Sequence, residues 1–363
     1  MAKLLRTLVQ LESPSPDKKA VDACLSFLGS LFKRTGMKIT RFPARTVGDP
    51  LLVEFMAGGR HRALKPILIL AHADTVWPVG QVKKMPFVLR GDKAYGPGIL
   101  DMKAGLVQAY FALKEIRERG LEPRGPIGLF VNSAEEISHP LSSRLIKKLA
   151  LSSRAVLCLE PALPDGGLKL RRKGRLVVRL ETRGKMAHAG SPALGVNAIE
   201  ELAHQVLALR KLRRAGTTFN IGHIQGGQRA NVVADRASAT LDFRFWKDAD
   251  KEKILRTLQG LKPFLPAARL AFRLESLTPP LEPGPASRAL FRRVKRIAAE
   301  QGVKLRGGQT GGGSDASLAS SLGLPTLDGL GPSGRGIHAA EEHVSLSSLV
   351  ERTALLASIL LEI

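Results

Sequence analysis

Apolar and polar residues follow two different periods along this chain, and the dominant period changes partway. Residues 17–35 carry apolar positions at helical spacing, whereas 51–55 and 66–70 are apolar runs of strand length. Residues 105–119 (GLVQAYFALKEIRER) return to helical spacing and stop at Gly120, a helix C-terminal signal. Two more apolar runs follow, at 127–131 and within RAVLCLEP (154–161). Uniformly apolar strands that alternate with helices predict an α/β domain, a mostly parallel sheet with helices on both faces.

The texture changes near residue 169. KLRRKGRLVVRLETRG alternates basic and apolar residues, as an antiparallel strand with one wet face does. A helix over 195–214, strands in TTFNIGHIQGG (217–227) and over 237–245, and a helix over 251–261 predict a compact α+β unit. The proline-rich LTPPLEPGPAS (277–287) marks the way out of it. Helix–strand alternation then resumes. The expected organisation is a first domain over 1–168, an inserted domain over 169–280, and the rest of the first domain over 281–363.

A length of 363 residues agrees with two domains. No run of 18 apolar residues occurs, so no transmembrane helix is expected. Arg6, Gln10 and Glu12 interrupt the apolar start of the chain and no small-residue cleavage site follows, so a cytoplasmic location is expected. Cys24 and Cys158 sit among apolar residues and are expected to be buried free thiols. The net charge of +24 admits a nucleic acid, an anionic surface or an acidic substrate as partner. The basic residues are spread along the chain, however, and aromatic residues make up only 5% of it, which leaves little to stack bases on. A solvated basic surface is the expectation, with no nucleic-acid partner and no membrane.

Strand ends are where α/β proteins build their sites, and several apolar runs here end in metal-type ligands. His72 and Asp74 follow 66–70, Glu135 and Glu136 follow 127–131, and Glu160 closes the run in RAVLCLEP. Asp101 lies in the glycine-rich YGPGILDMKAG ahead of a helix, and His338 comes late, in GPSGRGIHAAEEHV. In an extended His-x-Asp both side chains point to one face, so His72 can bind a metal while Asp74 takes its other ring N–H. Each residue alone has a plainer reading: a satisfied core histidine, a helix N-cap at Asp101, a solvated acidic pair at 135–136. Their co-occurrence after apolar strands, in a chain poor in carboxylates, points instead to a divalent cation such as Zn²⁺.

The ordered set HADTVWPVG, GPGILDMKAG, NSAEE, LEP, GKMAHAG and GGGSDAS, with His338 behind it, resembles the M20 family of zinc metallopeptidases and aminoacylases. Within it, the chain is most similar to the glutamate carboxypeptidases of the carboxypeptidase G2 type. The resemblance implies a zinc-dependent exopeptidase-like fold with an inserted α+β lid or dimerisation domain, and a homodimer. It implies two zinc ions per subunit, one held by His72, Asp101 and Glu160, the other by Asp101, Glu136 and His338. Glu135 becomes the general base beside a metal-bridged hydroxide, with Asp74 supporting. A non-proline cis peptide is implied at Asp101–Met102. His188 is implied to reach a neighbouring active site and stabilise the oxyanion, and Asn231 and Arg244 to lie near the substrate.

The backbone N–H groups of Gly311–Gly313, centred on Gly312, are candidates for the substrate carboxylate, although the same glycines also suit a packing turn. Where the glutamate carboxypeptidases carry an arginine at the exit from the inserted domain, this chain has ESLTPPLEP, and Lys169 is the candidate replacement cation. The expected activity is hydrolysis of a C-terminal, glutamate-like residue, or of an N-acyl group, from a small molecule or short peptide with a free carboxylate. Two alternatives stand beside it: a biosynthetic deacylase of the acetylornithine or succinyl-diaminopimelate type, and a non-catalytic basic binding protein on the same fold.

Overall fold

The computed structural model describes residues 1–58 and 63–363. The chain divides into two compact units. One comprises Met1–Arg171, Pro283–Thr310 and Ser314–Ile363, the other Arg172–Glu282 with Gly311–Gly313.

The larger unit is built on a six-stranded sheet in the order Lys38–Arg41, Leu51–Phe55, Ile127–Asn132, Ile67–His72, Ala155–Cys158, Thr326–Leu327. Ile67–His72 runs parallel to both its neighbours and Thr326–Leu327 parallel to Ala155–Cys158, whereas Lys38–Arg41 and Leu51–Phe55 add an antiparallel edge. Every residue of Ile67–His72 and Ile127–Asn132 is buried, as strands covered on both faces require. The helix Ala104–Glu118 buries ten of its residues and packs against the C-terminal helix Leu346–Glu362. Each fully buried leucine or isoleucine in this core is worth ~1.5–3 kcal/mol. The sheet therefore forms a rigid floor, and the carboxyl ends of its central strands lie side by side. Cys24 and Cys158 are buried thiols, neither of them in a disulfide.

The smaller unit is a four-stranded antiparallel sheet in the order Thr218–Gly226, Arg236–Phe245, Gly174–Arg183, Arg269–Thr278. Leu176, Val178, Leu180, Ala239, Leu241 and Phe243 point from one face into a core shared with the helices Ala198–Leu209 and Asp248–Gln259. Arg269–Thr278 is a strand that the sequence pattern did not mark. The segment read as one alternating strand from residue 169 is two strands, Leu168–Arg172 and Gly174–Arg183.

Candidate metal centre

The central strands deliver their terminal residues to one place. His72 is the last residue of Ile67–His72 and is 2% exposed. Its Nε2 lies 3.2 Å from Asp101 Oδ1 and 3.5 Å from Glu160 Oε1. Glu160 follows the neighbouring Ala155–Cys158 strand and is buried. Asp101 sits in the turn that opens the Ala104–Glu118 helix, and the Asp101–Met102 peptide is cis. A second cluster shares Asp101: His338 Nε2 is 3.6 Å from Asp101 Oδ2 and 3.2 Å from Glu136 Oε1. His338 takes a positive φ of 61°, the left-handed region. Within each triad, His72–Asp101–Glu160 and Asp101–Glu136–His338, the ligand atoms lie within 4.8 Å of one another.

Asp74 acts differently from the pattern reading. The His72 Nδ1–H donates to the Asp74 backbone carbonyl at 2.9 Å, and the Asp74 carboxylate stands further off, at 3.5 Å. That carboxylate accepts instead from Ser15 Oγ (2.7 Å) and from the backbone N–H groups of Glu135 (3.1 Å) and Glu136 (3.2 Å). Asp74 thus clamps the turn that carries both glutamates, and the carbonyl beside it leaves His72 Nε2 facing Asp101 and Glu160 as a lone-pair donor. Asn132, at the end of Ile127–Asn132, braces the same turn. Its Oδ1 accepts from Ser133 N (2.7 Å), Ala134 N (3.2 Å) and Ser142 Oγ (2.6 Å), and its Nδ2 donates to Asp315 at 2.6 Å.

The electrostatics of the cluster call for positive charge. Burial pushes the Glu135 carboxyl well above its usual range, raises Glu136, and carries Asp315 to about 7. Burial alone would lower His72, but Asp101, Asp74 and Glu160 around the ring hold it well above its ordinary value. Asp101 is held low, against the effect of burial, chiefly by His72, with further help from Lys169 and His338. Carboxylates packed this closely out of water repel one another unless cations neutralise them. Two sets of one imidazole and two carboxylates, sharing Asp101, fit a pair of divalent ions, with Zn²⁺ matching the mixed N/O donors. Glu135 belongs to neither set.

Two residues of this region were not singled out from the sequence, Asp315 and Glu342. Glu342 is 1% exposed and its two oxygens accept from Trp77 Nε1 and from the backbone N–H groups of Gly98, Leu100 and Asp101. Lys169 is buried in the same unit, 6% exposed.

The remaining candidates belong to the smaller unit. His188 and Asn231 are exposed on adjacent loop segments, joined by a bridge between His188 and Val232 and by Ala189 N–H donating to the Asn231 carbonyl at 3.0 Å. Arg244 pairs with Asp242 at 2.8 Å and donates to the Gly311 carbonyl at 3.5 Å. The Gly311–Gly313 carbonyls are held by arginines, since Arg172 Nη1 donates to Gly313 O at 2.6 Å and Gly312 O at 3.4 Å. The helix after this loop, Ala316–Ser320, has only five residues, too short for a strong N-terminal field.

A family model described as "Peptidase family M20/M25/M40" matches residues 68–362. Carboxypeptidase G2 of Pseudomonas sp. (strain RS-16) is 30% identical, over 99% of this chain and 88% of its own. Succinyl-diaminopimelate desuccinylase of Gluconacetobacter diazotrophicus is 27% identical, over 98% of this chain and 95% of its own. Among solved structures, the Bacillus subtilis YXEP protein, described as a dinuclear metal binding peptidase from the M20 family, superposes with a TM-score of 0.72 at 15% identity. That match covers 99% of this chain and 96% of the other.

Proposed function

The chain belongs to peptidase family M20/M25/M40 and is a hydrolase, and from that premise we propose that it is a two-zinc enzyme. In this reading it removes a C-terminal, glutamate-like residue, or an N-acyl group, from a small substrate with a free carboxylate. The observation that carries the proposal is the sharing of Asp101 between two ligand triads, with the half-buried Glu135 beside them and outside both. His72, Asp101 and Glu160 would hold one ion, and Asp101, Glu136 and His338 the other. A bound pair of such ions polarises a scissile carbonyl and acidifies water.

The chain's own residues supply the rest. Glu135 takes a proton from the attacking water and returns it to the leaving amine, a role suited by a carboxyl whose burial raises its proton affinity. Asp74 fixes the Glu135 and Glu136 backbone, so the base keeps its place while its carboxyl stays free to move a proton. The inserted unit would serve as lid and dimerisation domain, with His188 of the partner subunit donating to the oxyanion. Lys169, Asn231, Arg244 and Gly312 remain the proposed substrate contacts, and the cytoplasm the proposed location.

The 27%-identical desuccinylase relative supports a second reading, removal of an N-succinyl group from a diamino acid. One panel separates them: N-acyl-glutamates and folate-like conjugates against N-acetyl-ornithine and N-succinyl-diaminopimelate, each with stripped and zinc-loaded protein. Activity that survives complete metal removal would overturn the whole proposal. Glu135→Gln should lose ~10²–10⁴-fold in turnover while elemental analysis still finds two ions per chain. Loss of an ion instead would make Glu135 a ligand.

A further inference from the structure

The four-stranded sheet of the smaller unit keeps one face for its helices and leaves the other without them. The register shows what lies on that open face. All seven arginines of the four strands fall there: Arg175, Arg179, Arg183, Arg236, Arg244, Arg269 and Arg273. The four strands contain no lysine, and their only carboxylates are Glu181, Asp242 and Glu275. Asp242 is shared by Arg175 (2.8 Å) and Arg244 (2.8 Å), which neutralises one end of the face.

The other end stays basic, since Glu181 (3.4 Å from Arg179) and Asp235 (3.8 Å from Arg236) meet only part of its charge. Arg183 lies directly opposite Arg236 on one side and Arg269 on the other, so three arginines form a row across three adjacent strands. All three are exposed. Cross-strand neighbours sit ~5 Å apart, and like charges directly opposite one another destabilise a sheet. Helping to line a cavity of about 390 Å³ beside this row are Arg179, Arg183, Arg236, Glu181, Gln225 and Ser238. Arg179 donates to Ser238 Oγ at 3.1 Å, and its Nε lies 3.4 Å from Glu181 Oε1.

We propose that this arginine face binds the phosphate backbone of nucleic acid without regard to sequence. The exclusive use of arginine supplies planar, bidentate donors that match phosphate. Successive arginines on one strand, Arg179 and Arg183 or Arg269 and Arg273, are four residues apart, ~13 Å at strand rise. Rows and columns together make a two-dimensional grid of cations suited to a polymer of regularly spaced charges. The phenylalanines of the neighbouring strands do not point from this face, because Phe219, Phe243 and Phe245 all belong to the core on the opposite side. Base stacking on them is therefore absent, and contact is with the backbone. The like charge of the row disfavours a second copy of the same face.

The test uses the intact, zinc-loaded chain and a fluorescein-labelled 20-base-pair DNA duplex of arbitrary sequence, with anisotropy read from 50 to 300 mM salt. Two variants are compared: R183A/R236A/R269A, which empties the row, and R292A/K295A/R296A, which removes equal charge from the helix Pro285–Glu300. The expected result is binding whose log–log salt slope falls by ~2–3 in the row variant, at about 0.9 for each phosphate no longer neutralised, with at least tenfold weaker affinity at 100 mM salt. The helix variant should bind like the parent. Equal losses in both variants would reduce the effect to net charge and overturn the proposal, as would no binding at 50 mM salt. Displacement of the duplex by poly-glutamate as efficiently as by unlabelled duplex would overturn it in favour of an acidic polypeptide. Matching circular dichroism and thermal midpoints establish that the row variant is folded. Retained hydrolysis of the best panel substrate by both variants keeps this outcome separate from that of the proposed activity.

Discussion

Glu342 is the residue whose replacement should say most about how the metal centre is held. Its Oε1 accepts from Leu100 N (2.9 Å) and Asp101 N (3.1 Å), its Oε2 from Gly98 N (2.9 Å) and Trp77 Nε1 (2.9 Å). Four donors thus converge on one carboxylate that is 1% exposed. Glu342→Gln keeps the shape but turns one oxygen into an NH₂ group, so two of the four donors face another donor. Hydrogen bonds to a charged group contribute ~1.5–3 kcal/mol each, and a buried donor left without an acceptor costs ~1–3 kcal/mol. Two lost bonds amount to ~3–6 kcal/mol, part of which is offset because a buried charge disappears with them. A net loss of about 3 kcal/mol lowers the melting temperature of a unit this size by roughly 6 °C or more. Where the amide takes the place of Oε1, the lost donors include the Asp101 backbone, and zinc affinity should then also fall ~10–100-fold. Urea unfolding followed by Trp77 fluorescence, in a Trp246→Phe background, reads the stability of the larger unit, and zinc titration against a competing chelator reads affinity. An unchanged urea midpoint together with unchanged zinc affinity would refute the idea that Glu342 organises the Asp101 turn.

Other consequences are simpler. A Cβ at Gly105 would stand 2.7 Å from the Leu159 carbonyl and 2.8 Å from Met102 Cε. Gly105→Ala should therefore cost ~1–3 kcal/mol in overpacking against ~1 kcal/mol of helix propensity gained; a more stable variant in urea would show that the helix start can move. Asp49 is held below its usual range: burial would raise it, but the Lys18 ammonium at 2.6 Å and the Ala44 N–H outweigh that effect. A carboxyl whose folded pKa is depressed adds stability above its unfolded pKa and loses it as pH falls through the folded value. The gap in urea midpoint between parent and Asp49→Asn should accordingly be full near neutral pH and close below ~4; a gap that widened in acid would contradict the assignment. Ser15→Ala removes the 2.7 Å hydrogen bond to the Asp74 carboxylate and should lower turnover with little change in KM, measurable on the best panel substrate.

What could be read from the sequence was whatever the chain writes locally. Buried parallel strands are apolar along their whole length, so the runs before His72, Glu136 and Glu160 stood out, and the candidate ligands at their ends with them. Helix boundaries were also local: Gly120 closes the Ala104–Glu118 helix and takes a positive φ. Glu342 was illegible because its partners are backbone N–H groups some 240 residues away, and in AEEHV it looks like one of two solvated acids. Asp315 lay hidden in a glycine-rich loop, its meaning supplied by Asn132 on another strand. The strand Arg269–Thr278 escaped notice because a register shift between Leu274 and Ser276 breaks its alternation just before the prolines.

The same reasoning explains the charge. Along the chain, the arginines of the four strands come singly, at 175, 179, 183, 236, 244, 269 and 273, each separated by apolar or polar residues, which is why they read as a diffuse basic surface. Alternation with period two places all those of one strand on one face, but nothing local tells which face of the next strand will meet it. That depends on register, and a slip of one residue in Arg236–Phe245 would send Arg236 and Arg244 into the core and Leu241 and Phe243 to water. Burial of Leu241 and Phe243, both fully enclosed, therefore fixes the register. The row Arg269–Arg183–Arg236 follows as a consequence, with each like-charged pair opposing it by some tenths of a kcal/mol. The apolar core outweighs that repulsion, and a polyanion bound across the row would reverse its sign.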